Sequence, residues 1–358
     1  MADREFRIGI VGASSLAGKE LSDSLADSTL AASDITLLDD EDAAGQITTA
    51  GDEVTFIQKI EPESFAGLDF VFFAGAPAVT LKHWKTARLA GASIIDMTGA
   101  LEEEPAVVVR GPWANLSTEN HERAIPKARE PDLTTPAVVS ANPAALMLLL
   151  VASRLHAAQP LRFIFATVFE PASQHGRAAM DELHQQTVSL LSFQPLPREQ
   201  FDAQVAFNLL PSLGHAAKVN LTAVKQRIAS HYAALSAGAL PQLDLNLIQA
   251  PVFHGYVASL LVELQRPATI AQMEEALVGD QIDLVDALSD PPSNLSAAGQ
   301  PDLLLQISRA ASDATHSKNT PSNRFWLWLA ADNLKLAALN AIACANELRR
   351  LRPQGKVQ

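Results

Sequence analysis

The chemically capable residues of this chain gather where apparent strands end. In Ala166-Thr167-Val168-Phe169-Glu170-Pro171-Ala172-Ser173-Gln174-His175 a carboxylate, an amide and an imidazole lie close together, a composition suited to acid–base work or to a hydrogen-bond network on a pocket rim. In Pro251-Val252-Phe253-His254-Gly255-Tyr256 the histidine and tyrosine are two residues apart, so a strand through both turns them to one face. His254 then either serves residual chemistry or is satisfied by polar neighbours. Ser140-Ala141-Asn142-Pro143-Ala144-Ala145 joins a β-rich run to an apolar helix through an Asn-Pro start signal. It has the form of a catalytic loop without a nucleophile: Ser140 has no identified base and reads equally as a helix-start hydrogen bonder. Gly9, Gly12 and Gly18 follow a Gly-x-x-Gly-x-x-Gly spacing between a strand and a helix, the arrangement that brings backbone N–H groups against a pyrophosphate. Ser15 stands where a further glycine would, so the turn reads either as a dinucleotide site or as a ligand-free remnant.

The elements that must position these groups follow from periodicity. Phe6 to Val11, Ile35 to Leu38, Phe70 to Phe73, Ile94 to Asp96 and Val107 to Val109 read as strands alternating with helices, which predicts a parallel α/β sheet of Rossmann type. Gly18 to Ala26 and Val79 to Leu89 supply crossover helices, with Leu21, Leu25, Leu81, Trp84 and Leu89 expected to face inward. After residue 141 longer strands (Leu161 to Phe169, Leu243 to Ile248, Val257 to Gln265, Leu303 to Ile307) mix with helices at Arg177 to Leu191 and Val224 to Leu235, predicting an α+β domain. Ser289 to Asn294, with Gly299 to Pro301 after it, is rich in turn formers and reads as a surface loop. A final helix, Asp332 to Arg350, is expected to begin with an acidic first turn and to end on Arg349 and Arg350; the tail after Arg352 is expected to fray. The expected division is residues 1–140 plus 331–358 in one domain and 141–330 in the other.

Composition bounds the function. The chain has 358 residues, enough for two domains, with 48% hydrophobic and 19% charged residues and a net charge of −13. No basic cluster is present to neutralise phosphates, so neither nucleic acid nor a membrane is an expected partner. No apolar run spans a bilayer, the N-terminus lacks signal-peptide character, and a cytoplasmic location is expected. The single cysteine, Cys344, lies in a helical run with Leu336, Leu339, Ala343 and Asn346; it reads as a small buried hydrophobe or as a displaced nucleophile. No spacing of His, Cys or carboxylates matches a zinc site, so no metal is expected.

Ile8 to Gly18, the turn Asp96-Met97-Thr98-Gly99-Ala100, the Asn142-Pro143-Ala144-Ala145 loop, Phe207 to Pro211, Ala250 to Phe253 and Ala331-Asp332-Asn333-Leu334-Lys335 together resemble the aspartate-semialdehyde dehydrogenase family. The resemblance implies a homodimer whose interface lies in the second domain. It implies NAD(P) binding through Gly9, Gly12, Ala13, Ser14, Ser15, Leu16, Gly18 and Asn333. In that family a cysteine thiolate attacks aspartyl phosphate, NADPH reduces the thioester, a histidine moves protons and a glutamine orients the intermediate. The thiol position here is Ala145, the histidine position is Tyr256, and the glutamine position falls at Phe169 or near Glu170. The family's substrate arginines correspond to about Glu102 and to Gln249; Lys225 matches a family lysine near the phosphate, and Arg110 could shift into the site. The family's 2′-phosphate arginine falls in Asp39-Asp40-Glu41-Asp42, whose charge repels a phosphate, so NAD is favoured over NADP. No catalytic residue is therefore expected, and a catalytically degenerate binding or structural protein with an unknown small-molecule ligand is the leading reading. The alternative is an active NAD(P)-dependent enzyme with a pocket rebuilt from His254, Tyr256, Glu170 and His175.

Overall fold

The computed structural model describes residues 6–31, 34–50, 53–114, 129–286, 288–310 and 320–351. Met1–Glu5 and the tail after Leu351, where fraying was expected, lie outside them. The chain forms two compact units, one of residues 6–113, 129–141 and 337–351, the other essentially 142–336. Among the described residues no helix is long and apolar enough to cross a membrane.

The first unit contains β1 (Arg7–Val11), α1 (Leu16–Ala26), β2 (Asp34–Asp39), the hairpin β3 (Ile47–Ala50) and β4 (Glu53–Phe56), β5 (Gln58–Lys59), β6 (Phe70–Phe73), α2 (Pro77–Leu89), β7 (Ser93–Asp96), β8 (Val108–Arg110) and β9 (Val138–Ser140). Seven strands form a parallel sheet in the order β5-β2-β1-β6-β7-β9-β8. Strands apolar on both faces, such as Phe70-Val71-Phe72-Phe73, require cover on both sides. Ile8, Ile10 and Phe72 pack with Leu21, Leu25 and Ile342, while Val71, Phe73 and Ile94 pack with Trp84 and Ala87 on the other face. The sequence expectation fails for Leu81 and Leu89, which are 52% and 89% exposed; the buried stripe of α2 runs through Thr80, Trp84 and Ala87, one residue out of step.

The second unit contains α3 (Pro143–Ala158), β10 (Leu161–Glu170), α4 (Arg177–Leu191), α5 (Leu221–Ser236), β11 (Leu243–Gln249), β12 (Tyr256–Ala268), α6 (Ile270–Leu277), β13 (Ile282–Leu284), α7 (Asn294–Ala297), β14 (Leu303–Arg309) and β15 (Ser322–Ala331). Between the turn-rich stretches 289–294 and 299–301 lies a single helical turn, started by Ser293 accepting from the Ser296 N–H. The sheet is mixed, in the order β11-β10-β12-β15-β14-β13. α3 is apolar all round (Leu146 to Val151) and accordingly buried on every side, against α5, α6 and β10. Over their central stretches β10 and β12 alternate: Ile164, Ala166 and Val168, with Ala258, Leu260 and Val262, are buried under the helices.

α8 (Asn333–Leu351) continues the chain from the second unit into the first. Asp332 is its cap and not part of its first turn, because its Oδ1 accepts from the N–H groups of Leu334 and Lys335. Its buried residues include Leu336, Asn340, Ala341, Cys344, Ala345 and Leu348, whereas Leu339, Ala343 and Asn346, which share the helical spacing of Leu336, are only half-buried.

Candidate functional site

Strand parity assembles a polar cluster in the second unit. Glu170, Gln249 and Tyr256 occupy the inner-face positions at one end of three adjacent strands, β10, β11 and β12, and Glu170 and Gln249 are direct register partners. All three are fully buried. His175, from the 3-10 turn Ala172–His175 that follows β10, brings its Nε2 to 3.6 Å from Glu170 Oε1. Burial pushes the Glu170 carboxyl up to about 8 against a small opposing effect of Tyr256, and pulls the His175 imidazole down to about 4 against Gln249. Both are therefore neutral near pH 7, and their approach is not an ion pair. Burial, then the Glu170 carboxylate, push the Tyr256 phenol well above its ordinary range. Tyr256 Oη approaches Glu170 and Asn142, and His175 approaches Gln249; these contacts act through dipoles, because none attains good hydrogen-bond geometry.

Phe169, the other residue left open by the register, points to the opposite face, where its ring lies 6.3 Å from that of Trp328. Glu170 alone of the two joins the cluster. The Asn142 side chain caps α3 by accepting from the Ala144 N–H at 2.9 Å, and the Asn142 N–H donates to His231 Nδ1 at 2.9 Å. A peptide N–H can only donate, so His231 is the neutral Nε2–H tautomer. Nothing in the sequence marks His231, which lies on α5; tertiary packing alone brings it to this loop. Ala145 sits fully buried in the first turn of α3.

His254 does not share a face with Tyr256. Gly255 adopts φ +86° and interrupts the extended chain, so β12 starts only at Tyr256. The His254 ring turns instead toward Asp332 (Nε2 to Oδ2, 2.8 Å) and Ser173 (Nδ1 to Oγ, 3.3 Å). Burial disfavours the Asp332 anion, but the His254 hydrogen bond and the N–H groups of Lys335 and Gly299 outweigh it and hold the carboxyl below its ordinary range. Ser173, His254 and Asp332 have the composition of a hydrolytic triad without its proton arrangement: the Ser173 hydroxyl donates to Asn333 Oδ1 at 3.1 Å and is not poised toward the ring. Asn333 also accepts from the Gly255 N–H and donates to Gln174.

In the first unit the glycine-rich turn keeps its form. Gly12 has φ +85°, and a Cβ there would stand 2.3 Å from the Gly75 backbone, so only glycine fits. Gly9 lies within β1, Ala13 and Ser14 complete the turn, and Leu16 and Gly18 lie in the first turn of α1. Ser15 is the cap of α1: its Oγ accepts from the Gly18 N–H at 2.9 Å and donates to the Ala74 carbonyl at 2.8 Å. The Ser14 N–H donates to Asp39 Oδ2 at 2.8 Å, and the Ser15 N–H to the Gly12 carbonyl. Backbone donors that would meet a phosphate are thus engaged internally, and a buried carboxylate stands beside them. A cleft of about 250 Å³ lined by Ala13, Lys19, Asp23, Leu37 and Thr48 borders the turn.

The remaining candidates are structural in their contacts. Arg110 is buried and its Nε donates to Glu347 at 2.8 Å. Lys225 is exposed on α5. Cys344 is fully buried near the Arg110 carbonyl, and burial raises its thiol far beyond the range in which a thiolate forms. Among the described residues no group of His, Cys, Asp and Glu could hold a metal ion.

Two family sequence models match the chain: "Semialdehyde dehydrogenase, NAD binding domain" over residues 7–122 and "Semialdehyde dehydrogenase, dimerisation domain" over residues 153–336. A USG-1 protein homolog of Pseudomonas aeruginosa is 30% identical over 337 residues, spanning 94% of this chain and 95% of that protein. The aspartate-semialdehyde dehydrogenase of Rickettsia bellii is 26% identical, spanning 96% and 98%. Among solved structures, a probable aspartate-semialdehyde dehydrogenase from Pseudomonas aeruginosa superposes with a TM-score of 0.80 at 28% identity over 97% of this chain and 99% of that one. An aspartate semialdehyde dehydrogenase II from Vibrio cholerae shares the fold, with a TM-score of 0.80 at 22% identity over 97% and 99%.

Proposed function

Because the chain belongs to the semialdehyde dehydrogenase family, we propose that it is a catalytically degenerate member of it, acting as a homodimeric binding or structural protein. The observation that carries this reading is the buried Glu170–Gln249–Tyr256–His175 cluster beside a helix start that bears Ala145 and no nucleophile. A carboxyl held neutral, a phenol far from titration and an amide supply neither a thiolate nor an anion clamp. The reading of an active, rebuilt pocket is disfavoured by His254, whose ring is engaged by Asp332 and Ser173 away from Tyr256.

The test is turnover. Purified protein given aspartate semialdehyde, phosphate and NAD or NADP should produce no reduced nicotinamide above a blank, and Ala145→Cys should not restore it, because the base and anion clamps are also replaced. Turnover by the native chain that is lost in Glu170→Gln would overturn the reading.

For the nucleotide turn, the acidic run Asp39 to Asp42 and the Asp39 carboxylate at the Ser14 N–H favour NAD over NADP. To meet its pyrophosphate the turn would have to release the Ser14 N–H from Asp39 and the Gly18 N–H from Ser15, and the cofactor would then bring hydride-transfer capacity to the fold. Dimerisation is supported by the match to the dimerisation domain and by the outer face of the second unit's sheet, where Phe163, Trp326 and Trp328 remain more than a third exposed.

A further inference from the structure

Proton counting around His254 gives a result that the degenerate pocket does not require. Asn333 Oδ1 accepts from the Gly255 N–H at 3.0 Å, which fixes that atom as the oxygen, and Asn333 Nδ2 donates to Gln174 Oε1 at 3.2 Å. Of the two contacts of the Ser173 hydroxyl, that to Asn333 Oδ1 is the shorter, 3.1 Å against 3.3 Å to His254 Nδ1; with its proton on that contact the Ser173 oxygen faces His254 Nδ1 as an acceptor. On the other side of the ring, Asp332 receives donors from Leu334 and Lys335 at Oδ1 and from Gly299 at Oδ2. That is the environment of an ionised carboxylate, so His254 Nε2 also donates. Both ring nitrogens carry a proton.

We propose that His254 is an imidazolium whose charge clamps three segments onto the start of α8 and keeps the Glu170 cluster shut, so that loss of its proton opens the cluster. The first segment is the 3-10 turn 172–175, which carries Ser173 and ends on His175. The second is the turn 252–255, which leads directly into Tyr256 and pairs with the first through Ala172 N–H to Val252 O and Ser173 N–H to Phe253 O. The third is the α7 region, joined by Asn294 Nδ2 to the His254 carbonyl and by the Gly299 N–H to Asp332. The groups facing His254 from these elements are Ser173, Asn294, Asp332 and Asn333, with Lys335 in the first turn of α8. Those facing Glu170 are His175, Gln249 and Tyr256.

Deprotonation at Nδ1 would leave two oxygen and nitrogen lone pairs opposed unless Ser173 rotated its O–H away from Asn333. Either outcome breaks one link of the His254–Ser173–Asn333 chain and removes the charge attracting Asp332. Rising pH works in the same direction at the cluster itself, because the Glu170 carboxyl, neutral up to about 8, then ionises in a site with no cation to meet it.

The test uses the full chain with 15N-labelled histidine. At pH 7 His254 should show two protonated ring nitrogens, and hydrogen exchange of amides 172–176 and 252–256, corrected for intrinsic rate, should accelerate at least about tenfold on passing to alkaline pH. His254→Gln, which cannot be charged, should be open and pH-independent in these segments. Ser173→Ala, which keeps the Asp332 contact, should retain the charge but shift the opening to lower pH. Should His254→Gln fail to fold, Ser173→Ala and the native spectrum still decide. A single-tautomer neutral His254 at pH 7, or opening that persists unchanged in His254→Gln, would overturn the proposal.

Discussion

A carboxyl at Glu170 is costly for this fold only when charged. Its native pKa of about 8 stands above the unfolded value of 4.5, so the favourable difference is present below 4.5 and is lost as pH rises through about 8. His175, at about 4 against 6.5, contributes in the opposite sense: its stability is present above 6.5 and is lost as pH falls through about 4. The two effects offset each other between about pH 4.5 and 6.5, so maximum stability lies in the mildly acidic range and declines from about 6.5 to about 8. Urea midpoints should therefore fall between pH 6 and pH 9 in the native chain, each unit of pKa difference being worth about 1.4 kcal/mol. Glu170→Gln mimics the neutral acid and should remove most of that fall. An equal decline in both proteins would place the alkaline sensitivity elsewhere.

Among the elements, α4 and α1 show how single polar residues hold longer segments. Gln186, buried on α4, accepts from the N–H groups of Val205 and Ala206 and donates to the carbonyls of Pro197 and Ala203; Glu182, one turn earlier, accepts from Gln200 and Phe201. The irregular stretch 197–206 is thus fastened to the helix by two side chains that the sequence presents as ordinary helix polars. Gln186→Ala leaves buried backbone donors unpaired and should cost about 2–4 kcal/mol in chemical unfolding. Ser15, the α1 cap, makes a different prediction. Ser15→Ala should cost about 1 kcal/mol, whereas Ser15→Gly should cost only a few tenths. Ser15→Gly also releases the Gly18 N–H, and should increase the thermal shift caused by millimolar NAD relative to the native chain. No increase would mean that the cap is not what limits an anion at this turn.

For the whole molecule, the sheet of the second unit has one face under helices and one carrying Phe163, Trp326 and Trp328 toward the exterior. An aromatic sheet face of this kind is stable in water when a second copy covers it. Trp326→Glu with Trp328→Glu should convert the dimer to a monomer in light-scattering chromatography while leaving circular dichroism unchanged; a native chain that is already monomeric would exclude this role for the face.

The sequence by itself determined the two architectures, since a parallel sheet covered on both faces and a mixed sheet covered on one leave different apolar periods in the chain. It also marked Ala145, Glu170 and Tyr256, because a missing thiol and misplaced polar residues are visible as residue types at the ends of strands. Helix faces were less legible: Leu81 and Leu89 turn outward because α2 buries the stripe Thr80, Trp84 and Ala87. The direction of His254 depended on the positive φ of Gly255, which reverses a side chain that strand parity alone sends to Tyr256. His231 and Asn333 act through partners 89 and 160 residues distant, and such pairings have no local signal. Only the tertiary structure decided which protons these groups hold, because protonation is fixed by the donors and acceptors brought against them and by the water that burial removes.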